Sequence, residues 1–267
     1  MSTHKKQMFC WSFLLVVFLV TLFSSYLTPY DANTMNMSEV YESPNGSHLF
    51  GTDHLGRDVL TRLIQGGKVT LTVATVATIL SFIIGLIYGG ISGYLGGVLD
   101  TVMMRIVEVL LTIPSILIIL VCQAFMQGNI WSMILIIGLT SWYTTARMIR
   151  TEFLKLNQME FVQMAKMIGT PSWKIILDHL LRNSIQAVFV VTLFNFAGAI
   201  FVEVSLSFLG IGVPPAVPSW GNMLYHAQSD FIAGAWWIGL FPGLLIIFTV
   251  LAINMIGSSS IKAKGGQ

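Results

Sequence analysis

Long uncharged apolar runs alternate along the chain with shorter segments that hold nearly all of its charge. A membrane-crossing helix needs about 20 apolar residues, because each adds ~1.5 Å across ~30 Å of hydrocarbon. The first run, Met8 to Asp31, follows His4-Lys5-Lys6. It exceeds a signal-peptide apolar region and no convincing A-x-A cleavage site follows, so the pattern predicts a retained span. Val69 to Leu99 is a second span with a glycine-rich end. Residues 106–146 hold one charge, Glu108, and are too long for one helix; Gln127-Gly128-Asn129 divides them into spans near 106–126 and 130–147. Ile185 to Phe208 and Phe231 to Ile256 complete an all-α integral membrane fold of six transmembrane helices.

The polar segments give the organisation. Residues 1–28 are a short tip and the first helix, and 29–68 an extramembrane segment. Residues 69–257 form a five-helix core with a polar loop at 151–183, and 258–267 a tail. Gly210 to Asp230, broken by Pro214, Pro215 and Pro218, is a loop or short re-entrant piece.

Composition removes the alternatives to a membrane protein. Hydrophobic residues are 55% of the chain, charged residues 10%, and mean hydropathy is +0.78. A soluble domain carries roughly a quarter charged residues. The net charge of +2 excludes a strongly basic nucleic-acid binder. Cys10 and Cys122 lie in apolar runs and suggest neither a disulfide framework nor a metal site. The charges also orient the chain. With a cytoplasmic N-terminus, eleven of the 14 basic residues lie inside and only Arg57, Arg62 and Lys68 outside. The positive-inside rule then places both termini and the 151–183 loop in the cytoplasm.

Several features bear on chemistry. Gly85, Gly89, Gly93 and Gly97 share a helix face at the spacing that lets a second helix approach closely, within this chain or in another subunit. Gln65-Gly66-Gly67-Lys68-Val69 fails as a phosphate-binding loop, since Val69 stands where Ser or Thr must follow the lysine. Asp53, His54 and Asp58 read as turn and capping residues rather than metal ligands. Glu108 lies one turn from Arg105 and predicts an i,i+3 ion pair. Glu203, inside a span with Ser205 and Ser207 nearby, either lines a translocation path or is hydrogen-bonded internally.

The loop is the most informative segment. Phe161, Met164, Ala165 and Ile168 recur at i, i+3, i+4 and i+7, an apolar helix face. Gly169 ends that helix, Thr170-Pro171 begin another, and Ile175, Ile176 and Leu180 continue it. With Met159, Met164 and Met167 the pair presents a compliant surface for a groove on another chain, or for the membrane surface.

Three blocks resemble the permease subunits of bacterial binding-protein-dependent ABC importers for dipeptides, oligopeptides and nickel. Gly51-Thr52-Asp53-His54-Leu55-Gly56-Arg57-Asp58 is similar to the GTDxLGRD block of the second of that family's two permeases. Ser207-Phe208-Leu209-Gly210-Ile211-Gly212-Val213 through Pro218-Ser219-Trp220-Gly221 resembles its SFLGLG…PxWG block. Ala165, Gly169 and Leu181 match its cytoplasmic EAA coupling loop, where Gln163 replaces the Glu, Met164 the first Ala, His179 the Ile and Arg182 the Pro.

The resemblance implies a type I importer permease fold and a bacterial cytoplasmic-membrane location. It implies a heterodimer with a homologous permease, two cytoplasmic ATPase subunits that bind ATP and Mg, and an extracytoplasmic solute-binding protein. This chain then has no cofactor, metal or catalytic residue of its own. Gln163, Met164, Ala165, Gly169, Thr170, His179 and Leu181 would form the coupling loop, and Glu203 and Ser207 are candidates for the translocation path. The loop's departures lean slightly toward metal or metal-chelate cargo over peptide. A secondary transporter needs a repeat, and none is evident; an intramembrane enzyme needs a nucleophile with its base, and Ser205, Ser207 and His226 match no known arrangement.

Overall fold

The structure is a computed structural model that describes residues 3–126 and 129–265. Its helices are α1 (Thr3–Leu22), α2 (Ser24–Leu27), α3 (Val59–Leu95), α4 (Gly97–Thr112), α5 (Ser115–Phe125) and α6 (Ile130–Leu139). They continue with α7 (Trp142–Asn157), α8 (Glu160–Met167), α9 (Ser172–Lys174), a π-helical stretch (Ile175–Leu181), α10 (Arg182–Phe208), α11 (Trp220–Asp230) and α12 (Trp237–Gly265). The one β feature among the described residues is an isolated antiparallel bridge between Thr52 and Asp58.

Four helical segments are long and apolar enough to cross a membrane: Lys5–Leu22, Val59–Leu95, Ser172–Phe208 and Trp237–Ser260. The pair α4–α5 qualifies only jointly and is bent by 78°. The count is therefore four, or five with the bent pair, where six straight spans were expected. Proline explains the first departure. Pro114 has no amide proton and pushes Ile113 into extended backbone (φ −89°, ψ 123°), which breaks the expected 106–126 span. The expected 130–147 span breaks for a different reason. The hydroxyls of Thr140 and Ser141 donate to the Ile136 and Ile137 carbonyls at 2.7 and 2.8 Å, beside the Thr140 amide that closes α6 on the same two carbonyls. These side-chain bonds compete locally with a continued helix.

Other boundaries also move. Helix α3 begins at Val59, well before the expected Val69, because Asp58 caps it by accepting from the Thr61 amide at 2.7 Å. Of the expected divider Gln127-Gly128-Asn129, the first two lie outside the described residues. Asn129 and Ser132 form a reciprocal capping box that starts α6. The last span starts at Trp237, and part of the expected 210–230 loop is α11, capped by Ser219.

Helix α3, about 55 Å long at 1.5 Å per residue, is the axis. It packs against α6, α7 and α10, while α1 lies on α12. The core joins Val73 and Ala77 of α3 to Met133, Ile137, Ile200 and Trp220. The glycine stripe is used within the chain, against α7. A Cβ on Gly85 would stand 2.6 Å from Thr145 Cβ, one on Gly89 2.3 Å from the Ala146 carbonyl oxygen, and one on Gly93 2.7 Å from Phe153 Cβ. Gly97 is different: it sits at the α3–α4 corner with φ +62° and open space around it. A half-buried ion pair ties that corner to α7. Arg150 donates through two nitrogens to Asp100, and the Ser92 hydroxyl donates to the same carboxylate.

Gly89→Val drives a side chain into the α7 backbone and should cost about 1–3 kcal/mol. Gly198→Ala, whose added methyl meets open space, should cost nothing. Thermal unfolding midpoints of the two variants in detergent micelles check this; equal midpoints would remove the close-packing account.

Candidate functional site

The two ends of α3 carry the two clusters that sequence reading singled out. At the Leu95 end lies the loop. Helix α8 closes with a Schellman motif: the Thr170 amide donates to Ala165 O at 3.0 Å and the Gly169 amide to Lys166 O at 3.1 Å. That turn needs Gly169 at φ +80°, a left-handed conformation that glycine adopts freely. Pro171 follows, and the chain resumes helically at Ser172. The helix–glycine–helix expectation matches this geometry.

The expected apolar face is two faces. Val162 and Ala165 turn inward onto Phe153, Ile175 and Leu180. Met164, Met167 and Ile168 face outward at 62%, 78% and 81% exposure, joined by exposed Phe161, Trp173 and Leu177. Of the predicted stripe only Ala165 is inside. An outward patch of this kind on a short helix marks an interaction surface.

Hydrogen bonds clamp α8 to the ends of α7 and α3. Gln163 Nε2 donates to Asn157 O at 2.6 Å, and Lys166 Nζ to Asn157 Oδ1 at 2.6 Å. Asn157 Nδ2 donates to Tyr94 O at 3.2 Å, and Lys166 lies 5.4 Å above the Tyr94 ring. Sequence reading missed Tyr94, Asn157 and Lys166, since no local pattern announces a contact between positions 94 and 157. His179 lies in the π-helical stretch with its ring 6.0 Å from Phe161, and Leu181 packs on the inward cluster. Thr170 is half-buried in the turn. Arg105 and Glu108 form the expected exposed ion pair, at 2.9 Å.

At the Val59 end, the GTDHLGRD block is a polar knot. Asp53 accepts from the Leu55 amide at 2.9 Å, the Arg57 amide at 3.0 Å and Arg57 Nε at 2.7 Å. Buried Arg62 donates to Ala32 O at 2.8 Å. Asp58 caps α3 and meets His48 Nδ1 at 2.9 Å, and Glu39 approaches the other His48 nitrogen at 3.4 Å. These are the turn and capping roles read from the sequence. His54 turns instead to Asp230 at 3.3 Å, and Tyr41 donates to the same carboxylate at 2.9 Å. Trp237 Nε1 donates to Thr52 O at 3.1 Å, so the segment is fastened to α11 and α12.

Glu203 and Ser207 lie together inside the chain. Glu203 is fully buried, and the Ser207 hydroxyl donates to its Oε1 at 2.9 Å and accepts from the Val213 amide at 3.2 Å. This is internal hydrogen bonding, the second of the two readings weighed for Glu203. Trp220 locks the same region to α3 through Leu63 O at 3.0 Å and Thr70 Oγ1 at 3.2 Å.

Apolar spans, a clamped outward helix at one end and a knotted cap at the other define a multi-pass membrane protein. The chain belongs to the family of binding-protein-dependent transport system inner membrane components, whose model matches residues 81–263. It is 36% identical over 244 residues to the dipeptide transport system permease protein of Bacillus subtilis (strain 168), covering 91% of this chain and 76% of that one. It is 33% identical over 246 residues to a glutathione transport system permease protein of Pectobacterium atrosepticum, covering 92% and 81%. The MetNI methionine ABC transporter in an inward-facing conformation has a similar fold: TM-score 0.62, 16% identity, 76% of this chain and 95% of that one. The protein is thus a multi-pass membrane permease component of an ABC importer and not an enzyme; ATP hydrolysis lies in separate subunits.

The cap has a pH dependence with a definite sign. Burial pulls the His48 pKa down, but the hydrogen bonds and charges of Asp58 and Glu39 outweigh it and hold the group above its ordinary value of 6.5. A raised histidine pKa contributes stability that is complete below the unfolded value and disappears as pH rises through the folded one. Residues 31–58 should therefore resist limited proteolysis better at about pH 6 than at about pH 8. His48→Gln should flatten that difference; a difference of the same size in the variant would remove His48 as its source.

Proposed function

We propose that the chain is one of two homologous permeases that together form the path for ATP-driven uptake of peptides in a bacterial cytoplasmic membrane. Of two ATPase subunits carrying the ATP and Mg, one docks on the outward face of α8 and the other on the second permease, and a solute-binding protein docks on the cap. Both termini and α8 are cytoplasmic. The α4–α5 and α6–α7 pairs complete six crossings, each as a broken helix.

The observation that carries this reading is the coupling segment. Its outward face is apolar where water would otherwise meet it, and its inner side is held to α3 and α7 by Gln163, Lys166 and Asn157. A pull on α8 therefore reaches α7 through Asn157 and α3 through Tyr94. Met164 and Phe161 supply the compliant surface, Ala165 and Leu181 the inner seat, and Gly169 with Thr170 the turn. His179, beside Phe161, borders the docking face. For cargo, the similar permeases above are named for dipeptide and glutathione transport. That favours peptides over the metal cargo toward which the loop's departures leaned.

Deleting the gene should abolish uptake of a labelled dipeptide and leave nickel uptake, free or chelated, unchanged; the reverse result would overturn the cargo assignment. Gly169→Leu forces a bulky residue into left-handed backbone at a cost of about 1–2 kcal/mol. Transport should fall at least about tenfold while membrane insertion, read by protease protection, stays normal. Undiminished transport by this variant would detach α8 from coupling.

A further inference from the structure

The breaks in α4–α5 and α6–α7 meet at one place. Ile113-Pro114 and Thr140-Ser141 border a recess of about 350 Å3 closed on its third side by α10. Its polar lining includes Ser115, Thr140, Ser141, Thr144 and Asn195, and no Asp, Glu, Lys, Arg or His lines it. Ile113, Pro114, Ser115, Thr144 and Gly198 are exposed on the chain's own surface there, and a Cβ on Gly198 would meet nothing within 4 Å. Hydrocarbon does not tolerate such a surface. Non-helical backbone at membrane depth persists only where protein covers it or where it lines a water-filled cavity. The exposed Arg105–Glu108 pair ends five residues before the break, and the 11 uncharged residues of α5, about 17 Å at 1.5 Å each, follow it.

We propose that this recess lines the translocation path and receives the uncharged peptide units of the cargo, an inference that rests on the peptide-importer reading above. The lining chemistry selects the ligand class. The Thr140 and Ser141 hydroxyls, already donating to backbone carbonyls, offer acceptors, and the Thr144 hydroxyl can donate or accept. Asn195, whose Nδ2 donates to Thr145 Oγ1 at 2.7 Å, keeps its carbonyl oxygen as an acceptor. Amide N–H and C=O groups pair with both kinds of partner. A divalent or transition-metal cation calls for carboxylate, imidazole or thiolate ligands, and the recess has none. The absence of fixed charge also suits a path, where cargo must enter and then leave. Glu203 and Ser207 become the packing that backs α10 rather than the surface that cargo meets.

The test uses the complete importer, reconstituted in proteoliposomes from a Cys10→Ala, Cys122→Ala chain. Ser115→Cys and Thr144→Cys are introduced singly, with Leu117→Cys on the exposed apolar side of α5 as the reference. A charged, water-soluble thiol reagent, added on both sides, should modify the two recess cysteines at least about tenfold faster than the reference. Excess dipeptide should slow that reaction several-fold. Rates equal to the reference, or cross-linking of both cysteines to the second permease, would overturn the proposal, since a partner side chain rather than water would fill the recess. Fast modification unaffected by dipeptide would overturn the peptide contact. Dipeptide uptake by the cysteine-free complex is measured in parallel: its presence with unreactive cysteines sinks the recess alone, and its absence sinks the cargo reading of the previous section.

Discussion

Everything else in the molecule hangs on the close approach of α3 to α7. In lipid, burying leucine against leucine gains little over leaving it among acyl chains, so helix association depends on tight van der Waals contact. Gly85, Gly89 and Gly93 provide it by removing side chains from one face of α3, and Thr145, Ala146 and Phe153 fill the space. The Asp100–Arg150 pair then pins the end of that seam at the α3–α4 corner. The two helices move as one body because nothing between them can compress.

That body joins two surfaces of different chemistry. One end of α3 is capped by Asp58 and wrapped by a segment whose charges satisfy one another: Asp53 with Arg57, Asp58 with His48, Asp230 with Tyr41 and His54. The other end meets α8 through Tyr94, Asn157 and Lys166. One helix, α3, thus runs unbroken from the contacts of α8 to the cap. Between the ends, the broken helices α4–α5 and α6–α7 leave a recess lined by both polar and apolar residues, closed on its third side by α10.

Particular residues mark how far sequence reading reached. Gly169 was legible because a left-handed turn between two helical patterns has a local signature, and Asp53 and Asp58 because short polar turns do too. The glycine stripe was legible as a packing face but not as to its partner, since spacing specifies a face and says nothing of what meets it. Pro114 was present in the sequence, yet apolar length alone hid the bend it makes. Phe161, Met164 and Ile168 were legible as an apolar face offered outward, and they are exposed. That Ala165 turns inward with Val162 was not, because periodicity groups residues on a face without saying which of them the core takes. Lys166, Asn157 and Tyr94 had no signal at all.

The sequence by itself determined the membrane class, the polarity of the segments and the family, because these follow from composition, charge placement and contiguous motifs. Tertiary structure decided which apolar face of α8 stays free, that Glu203 is sealed inside with Ser207, and that two helix breaks distant in the chain share one recess. The physical reason is range. Hydropathy, capping and backbone conformation act over a few neighbouring residues, whereas burial and the pairing of polar groups depend on which distant segments the packing of α3 brings together.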